Sequence, residues 1–205
     1  MGALLMLAMC AGFICSCNDD VEETPPAGSN TADNKDPHEY VDLGLPSGTL
    51  WATCNVGASK PEEYGNYFAW GETTTKSTYE WGTYKYSSDD AATANWGSGW
   101  QMPSLEQFFE LYNSSYTTTT WTTLNGVKGR KITSKSNRNS IFLPAAGYCN
   151  GTSLTNVGNG YYWSRSRDAS NSYSAYYLYF YYSSIETDYN YRCYGRSVRP
   201  VRVKN

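Results

Sequence analysis

YYWSRSRDASNSYSAYYLYFYYSSIETDYNYRCY, residues 161–194, followed by GRSVRPVRV, residues 195–203, is the stretch on which the reading of this chain turns. Eleven of its first 34 residues are Tyr and seven are Ser, against nine Tyr in the other 171 positions. Tyr favours the pleated surface of a strand, and Tyr177-Leu178-Tyr179-Phe180-Tyr181 alternates with the period of two that a half-buried strand requires. On that alternation Leu178 and Phe180 are expected to enter the core, and Tyr177, Tyr179 and Tyr181 to face outward. Tyr189, Tyr191 and Tyr194 continue the outward set on the next strand, with Arg165, Arg167, Asp168, Asp188 and Arg192 around them. A soluble protein seldom leaves so much apolar surface bare. Tyr mixed with Ser, Asn, Arg and Asp is also the composition of antibody paratopes, in which rigid amphipathic rings give contact area at low entropy cost. These residues form the candidate ligand-binding face, about 161–196. The alternative is an aromatic-rich edge sheet with no ligand.

At 205 residues the chain is long enough for one well-buried domain and short for two. With 16 Lys and Arg against 19 Asp and Glu the net charge is -3, so no overall field favours nucleic acid. The C-terminal arginines (Arg165, Arg167, Arg192, Arg196, Arg199, Arg202) lie beside aromatics and are able to stack on single-stranded bases, but the N-terminus argues against that partner. Residues 1–16 are an apolar run too short to span a bilayer and shaped like the core of a secretory signal. Ile14-Cys15-Ser16-Cys17 resembles the lipobox of bacterial lipoproteins, in which the last Cys is acylated and becomes the mature N-terminus. The acidic run Asn18-Asp19-Asp20-Val21-Glu22-Glu23 resembles the surface-export signal of Bacteroidetes lipoproteins. A plain signal peptide cleaved elsewhere is the alternative, and the lack of Lys or Arg before the apolar run leaves a start upstream of Met1 open. Export and lipidation would leave Cys54, Cys149 and Cys193, an odd number that allows at most one internal disulfide.

Residues 17–39 are lipid-bearing Cys17 and a polar, Pro- and Thr-containing tether with too few apolar side chains to offset its ordering entropy. His38, the only histidine, is expected to be solvated at its end. Residues 40–205 form the expected domain. Two short strands flank a Leu45-Pro46-Ser47-Gly48 turn, and Tyr64 to Glu72 reads as a further buried strand. A short helix is expected near Asp89–Ala92, with Trp81 and Trp96 as isolated anchors in a polar segment. Pro103 to Tyr112 is the clearest helix, with Ser104 and Gln107 as a capping box and Leu105, Phe108, Phe109 and Tyr112 on one face. Asn125-Gly126 between two strands is a hairpin signal, and Ile141 to Tyr148 reads as a buried strand before a Gly-rich segment. The expected core is Leu105, Phe108, Trp121, Phe142, Leu143, Trp163, Leu178 and Phe180. One firm helix among many short strands predicts an α+β, mostly antiparallel architecture and excludes bundle and Rossmann folds.

The ordered words YVDLGLPSGTLWATCNVGA, PEEYGNYFAWGET, ANWGSGWQMPSLEQFFELY, IFLPAAGY, GNGYYWS and GRSVRPVR, from Tyr40 to Arg202, resemble the Fibrobacter succinogenes major paralogous domain of Bacteroidetes surface lipoproteins. That resemblance implies a C-type lectin-like fold, related to formylglycine-generating enzyme and to the variable proteins of diversity-generating retroelements. In those systems template adenines become any base, so Asn codons turn into Tyr, Ser, Asp, Cys, Arg or Gly on a constant framework. Trp163, Ala175, Leu178, Phe180, Gly195, Ser197, Val198, Arg199 and Pro200 match the framework. Tyr177, Tyr179, Tyr181, Asp188, Tyr189, Tyr191, Cys193 and Tyr194 are the expected variable positions. An ordinary family member that is merely Tyr-rich is the alternative.

Catalytic chemistry is not legible. With no usable His, a Ser-His-Asp or Cys-His site cannot be assembled, and no phosphate-binding glycine loop occurs. Glu62/Glu63 and Asp89/Asp90 are adjacent pairs in turn-like stretches. Cys149 and Cys193 lack the close spacing of the formylglycine-generating site, and the Glu-Pro-Asn, Gln-Pro-Asp and Trp-Asn-Asp motifs of calcium-dependent lectins are missing. The expectation is therefore a non-enzymatic outer-membrane lipoprotein without metal or cofactor. It would bind a protein, another surface macromolecule or a glycan, touch the membrane through its anchor, and bind no nucleic acid. The competing expectation is a structural or accessory component of a surface assembly that uses the same face as a permanent interface. Cys17→Ala should release the protein from membranes, because durable attachment requires more than one acyl chain; undiminished membrane retention would contradict the lipobox reading.

Overall fold

A computed structural model describes residues 37–203. The expected signal segment, Cys17 and the tether as far as residue 36 lie outside the described residues. Within them the architecture is α+β: two α-helices and eleven short strands in antiparallel sheets. None of the described helices is long and apolar enough to cross a membrane.

The two ends of the described chain meet. β1 (Tyr40–Asp42) pairs with β2 (Thr49–Ala52) across a turn closed by the Gly48 N–H donating to Leu45 O at 2.9 Å. The last strand, β11 (Val201–Val203), takes the other edge of β2, giving the order β1-β2-β11. Helix α1 (Ala91–Trp96) starts at Asp90, whose carboxylate accepts from the N–H groups of Thr93 and Met102 and so ties the helix to the next segment. Helix α2 (Leu105–Tyr112) carries the anticipated capping box, with Ser104 and Gln107 each accepting from the other's backbone N–H. Its buried face is not the anticipated one. Gln107, Phe108 and Leu111 point inward, Leu105 is half-buried and Phe109 lies 48% exposed. The helix is rotated because the Gln107 amide donates to the Thr49 hydroxyl at 2.8 Å, placing a polar side chain among apolar ones.

β3 (Thr117–Leu124) and β4 (Val127–Ser134) form the expected hairpin, and β5 (Ser140–Pro144) completes the sheet β3-β4-β5. Asn125 and Gly126 both have positive φ, 46° and 83°, as a two-residue hairpin turn requires. Tyr64 to Glu72 is buried in part but is no strand. It meets the C-terminal segment at isolated points: Phe68 and Arg196 exchange both backbone hydrogen bonds, at 3.0 and 2.9 Å, and the Trp70 N–H donates to Arg192 O at 2.8 Å. The Gly-rich segment after Tyr148 folds into a small hairpin, β6 (Tyr148–Asn150) with β7 (Ser153–Thr155), which its composition did not announce.

The remaining sheet, ordered β10-β9-β8, is made by the Tyr-rich stretch: β8 (Gly160–Arg167), β9 (Ser174–Phe180) and β10 (Ile185–Tyr191). The alternation places Leu178 and Phe180 in one core with Phe108, Leu111, Ile132, Leu143 and Tyr162. The opposite face is covered as well. Tyr161, Trp163, Ala175 and Tyr177 pack against Val56, Phe68, Trp70, Met102 and Val198 in a second core. Tyr177 is only 4% exposed, so the expectation that it faces solvent fails, because the irregular segment 53–102 lies over it. Of the expected core, Phe108, Phe142, Leu143, Trp163, Leu178 and Phe180 are buried; Trp121 and Leu105 are half-buried at its edge.

Gly160 shows how tightly the first core is filled, since a Cβ there would stand 2.1 Å from the Phe180 ring. Phe180→Ala should therefore cost about 3–5 kcal/mol, whereas Tyr182→Ala, at a side chain 75% exposed, should move stability by no more than about 0.5 kcal/mol. Comparable denaturant midpoints for the two variants would mean that β9 is oriented the other way.

Candidate ligand-binding face

The Tyr-rich sheet presents a chain of touching rings. Starting at the β9–β10 turn, Tyr181 contacts Tyr179 (5.6 Å between centroids), Tyr179 contacts Tyr161 (5.0 Å), Tyr161 contacts Tyr148 (4.8 Å) and Tyr148 contacts Tyr194 (5.5 Å). Tyr194 then meets Tyr191 at 6.0 Å, Tyr191 meets Trp81 at 5.7 Å, and Trp81 carries Tyr173 at 5.5 Å and Tyr86 at 6.0 Å. Tyr86, Tyr173, Tyr191 and Tyr181 are exposed, Trp81, Tyr148, Tyr179 and Tyr194 are half-buried, and Tyr161 is buried at the centre. Each ring is braced by its neighbours in offset or edge contacts, the arrangements that aromatic quadrupoles favour.

The ribbon rests on a buried cation. The Arg196 guanidinium lies 3.4 Å from the centroid of Tyr177 and 4.3 Å from that of Trp163, with Tyr161 and Tyr148 at 5.7 and 5.8 Å. It is 1% exposed, and its Nε and Nη1 have no hydrogen-bond partner. Ring faces replace the acceptors that a buried guanidinium otherwise needs. Burial pulls its pKa down to about 10. Tyr177 is held from the other side, its hydroxyl donating to Asp188 at 3.1 Å.

No protein-family model, curated protein or solved structure matches this chain. Of the sequence-based candidates, Tyr179, Tyr181, Tyr191 and Tyr194 join in the ribbon, and exposed Asp188 reaches it through Tyr177. Tyr189 does not join. Its neighbour in sequence, Asp188, pairs with Tyr177, so Tyr189 projects from the opposite side of β10, where it meets Tyr176 at 5.9 Å. Arg165 is exposed and donates to the Gln101 side chain at 3.2 Å. Arg167 is exposed at the end of β8, beyond a break in the register with β9.

Besides Tyr177, two of the candidates are buried, contrary to expectation. Arg192, 6% exposed, lies 4.3 Å over the Trp70 ring and donates to the carbonyls of Ser172 and Ser87, clamping two loops. Asp168, also 6% exposed, accepts from the hydroxyl and N–H of Ser170 at 2.8 and 2.9 Å, which shape the β8–β9 loop and hold its pKa down. His38 is likewise not a free linker residue, for its ring stacks on Trp96 at 3.7 Å. Sequence reasoning missed Trp81, Tyr86 and Tyr148, which lie far from the Tyr-rich stretch. Trp81 alone gave a signal, as an isolated large aromatic in a polar segment. Among the described residues no group of His, Cys, Asp and Glu is placed to hold a metal ion. What the face offers is ring surface, hydroxyls and one carboxylate.

Burial pushes the hydroxyls of Tyr84, Tyr162, Tyr177 and Tyr179 up to about 12 from an ordinary value of about 10. Above that ordinary value the unfolded chain has released protons that the folded one retains. The stabilisation is thus complete below pH about 10 and is lost as pH climbs toward about 12. Arg196, a base that burial lowers, acts in the opposite sense, as do Arg130, Arg192 and Arg199. Alkaline titration should show a late, cooperative rise in tyrosinate absorbance that coincides with loss of circular dichroism. A single gradual titration with the fold intact would refute this account.

Proposed function

We propose that this chain is a lipid-anchored, outer-membrane surface protein that binds a macromolecular ligand, most simply another protein, on the aromatic ribbon between Trp81 and Tyr181, without catalysis. The observation that carries this reading is the ribbon itself: exposed and half-buried rings in continuous contact, braced from beneath by Arg196. Rings held in this way give up little freedom on binding, and interface energy concentrates in a few aromatic anchors.

The scaffold in this reading is a C-type lectin-like domain of the kind diversified by retroelements. Its support is the ordered sequence words from Tyr40 to Arg202 and the division of burial between the two sets of positions. The framework positions Trp163, Ala175, Leu178, Phe180, Gly195, Ser197, Val198, Arg199 and Pro200 are all buried. Tyr181, Asp188, Tyr189 and Tyr191 are exposed, and Tyr179 and Tyr194 are half-buried. Tyr177 and Cys193 are buried and drop out of the variable set. A nearby near-copy of the C-terminal coding sequence differing only at adenines would be the genomic counterpart.

Binding and folding should separate. With the purified protein screened on arrays of extracellular proteins and of glycans, Tyr181→Ser with Tyr191→Ser should abolish the wild-type signal, each anchor contributing about 2 kcal/mol. The thermal melt should change little, since both side chains are exposed. Tyr177→Ser should instead lower the melting temperature. Retained binding by the double variant would remove the ribbon from the ligand site.

A further inference from the structure

We propose that the outer edge of β3 is a self-association surface, on which a second copy of this chain pairs antiparallel about a two-fold axis through Thr120. The proposal concerns a different element from the aromatic ribbon and stands independently of it.

The free edge follows from the hairpin. A two-residue turn makes its flanking residues, Leu124 and Val127, a hydrogen-bonded pair, and such pairs recur at every second residue. Leu124, Thr122, Thr120 and Thr118 therefore direct their N–H and C=O groups at β4, and Thr119, Trp121 and Thr123 direct theirs away from it. Among the described residues no backbone hydrogen bond links residues 118–124 to any element besides β4.

Proteins blunt such edges with charge, proline, bulges or short length. The other strands follow that rule: β10 carries Glu186 and Asp188, β5 ends in Pro144, β1, β6, β7 and β11 have three residues each, and β8 is bridged by Ser197. β3 has none of these devices from Thr118 to Leu124; only its first residue, Thr117, is covered, its N–H donating to Asn113 O at 3.0 Å. The strand is eight residues long, reads TTTTWTTL, pairs with β4 without a register break, and contains no charge, proline or glycine. Its Thr and Trp are strand formers. Trp121 itself points to the sheet face, where it packs beside Phe180 and Tyr182, and so leaves the backbone edge uncovered.

The sequence of the edge favours a second copy as the occupant. Antiparallel pairing about Thr120 sets Thr119 opposite Trp121 of the other copy, both with outward N–H and C=O, so the two exchange both hydrogen bonds. Thr120 faces its own counterpart, and Thr118 faces Thr122. Thr–Thr pairs across strands are favourable and no like charges meet. A strand rich in Lys or Glu would find no complementary charge on β3.

The register gives a sharp test. In this pairing the two Thr120 residues form a non-hydrogen-bonded pair, whose Cα separation of about 4.5 Å falls within the disulfide range of about 4.4–6.8 Å. Full-length chain carrying Thr120→Cys should run mainly as a disulfide-linked dimer on non-reducing gels. Wild type, in which Cys54, Cys149 and Cys193 are the free thiols among the described residues, and Thr123→Cys should stay monomeric. Adding Thr118→Lys and Thr122→Lys should suppress the Thr120→Cys dimer, whereas Thr118→Lys with Thr122→Glu, complementary across the axis, should retain it with an equal melting temperature. Absence of the Thr120→Cys dimer, or an equal yield from Thr123→Cys, would overturn the proposal, and so would indifference to the charge pattern.

Discussion

The fold depends on burying guanidinium groups without carboxylates. Much of this chain is irregular, and irregular segments carry backbone carbonyls that no strand partner satisfies. Three buried arginines take up that role, and a fourth is buried against rings. Arg130 donates to the carbonyls of Tyr181 and Ser184 at 2.6 and 3.0 Å and so fastens the β9–β10 turn to the β3-β4-β5 sheet. Arg199 reaches the carbonyls of Ala52 and Thr53 and the Asn55 side chain at 3.1, 2.7 and 2.8 Å, joining the first strands to the last segment. Arg192 clamps the loops at Ser87 and Ser172. Arg196 goes further and substitutes ring faces for acceptors. Burying a charge is costly, and Arg carries that cost better than Lys because its planar group is weakly hydrated and stacks on aromatics.

This arrangement explains why the aromatic face is half sunk rather than fully displayed. The segment 53–102 is drawn over the β10-β9-β8 sheet by its bonds to residues 192–198, and it covers Tyr177 and Trp163 while leaving Tyr179 and Tyr181 at its margin. The same segment contributes Trp81 and Tyr86, which lengthen the row of rings beyond the sheet. A surface built in this way has firm ring positions over a packed base. Tyr181 and Tyr191 are exposed, whereas Tyr179, Tyr148, Trp81 and Tyr194 pack on buried clusters beneath them.

Much of the fold was legible in local sequence. The capping box at Ser104 and Gln107, the Asn125-Gly126 hairpin, the Leu45–Gly48 turn, the helix near Asp90 and the strand period around Leu178 and Phe180 all rest on interactions within a few residues, which sequence spacing encodes directly. The inward placement of Leu178 and Phe180 needed only the alternation. The site was legible in part: a local excess of Tyr and Ser marked Tyr179, Tyr181, Tyr191 and Tyr194.

What covers a sheet is a different kind of fact. Alternation tells which side chains share a face, but the burial of that face depends on segments distant in sequence. Alternation and composition alone therefore place Tyr177, Arg192 and Asp168 at solvent, and residues 53–102 and the β8–β9 loop bury them. For the same reason Trp81, Tyr86 and Tyr148 entered the ribbon only in three dimensions. The sequence by itself determined the strands, the turns and the residue types of the face. The tertiary structure alone decided which of those residues reach solvent, because burial is set by contacts between remote segments and leaves no periodic trace in either of them.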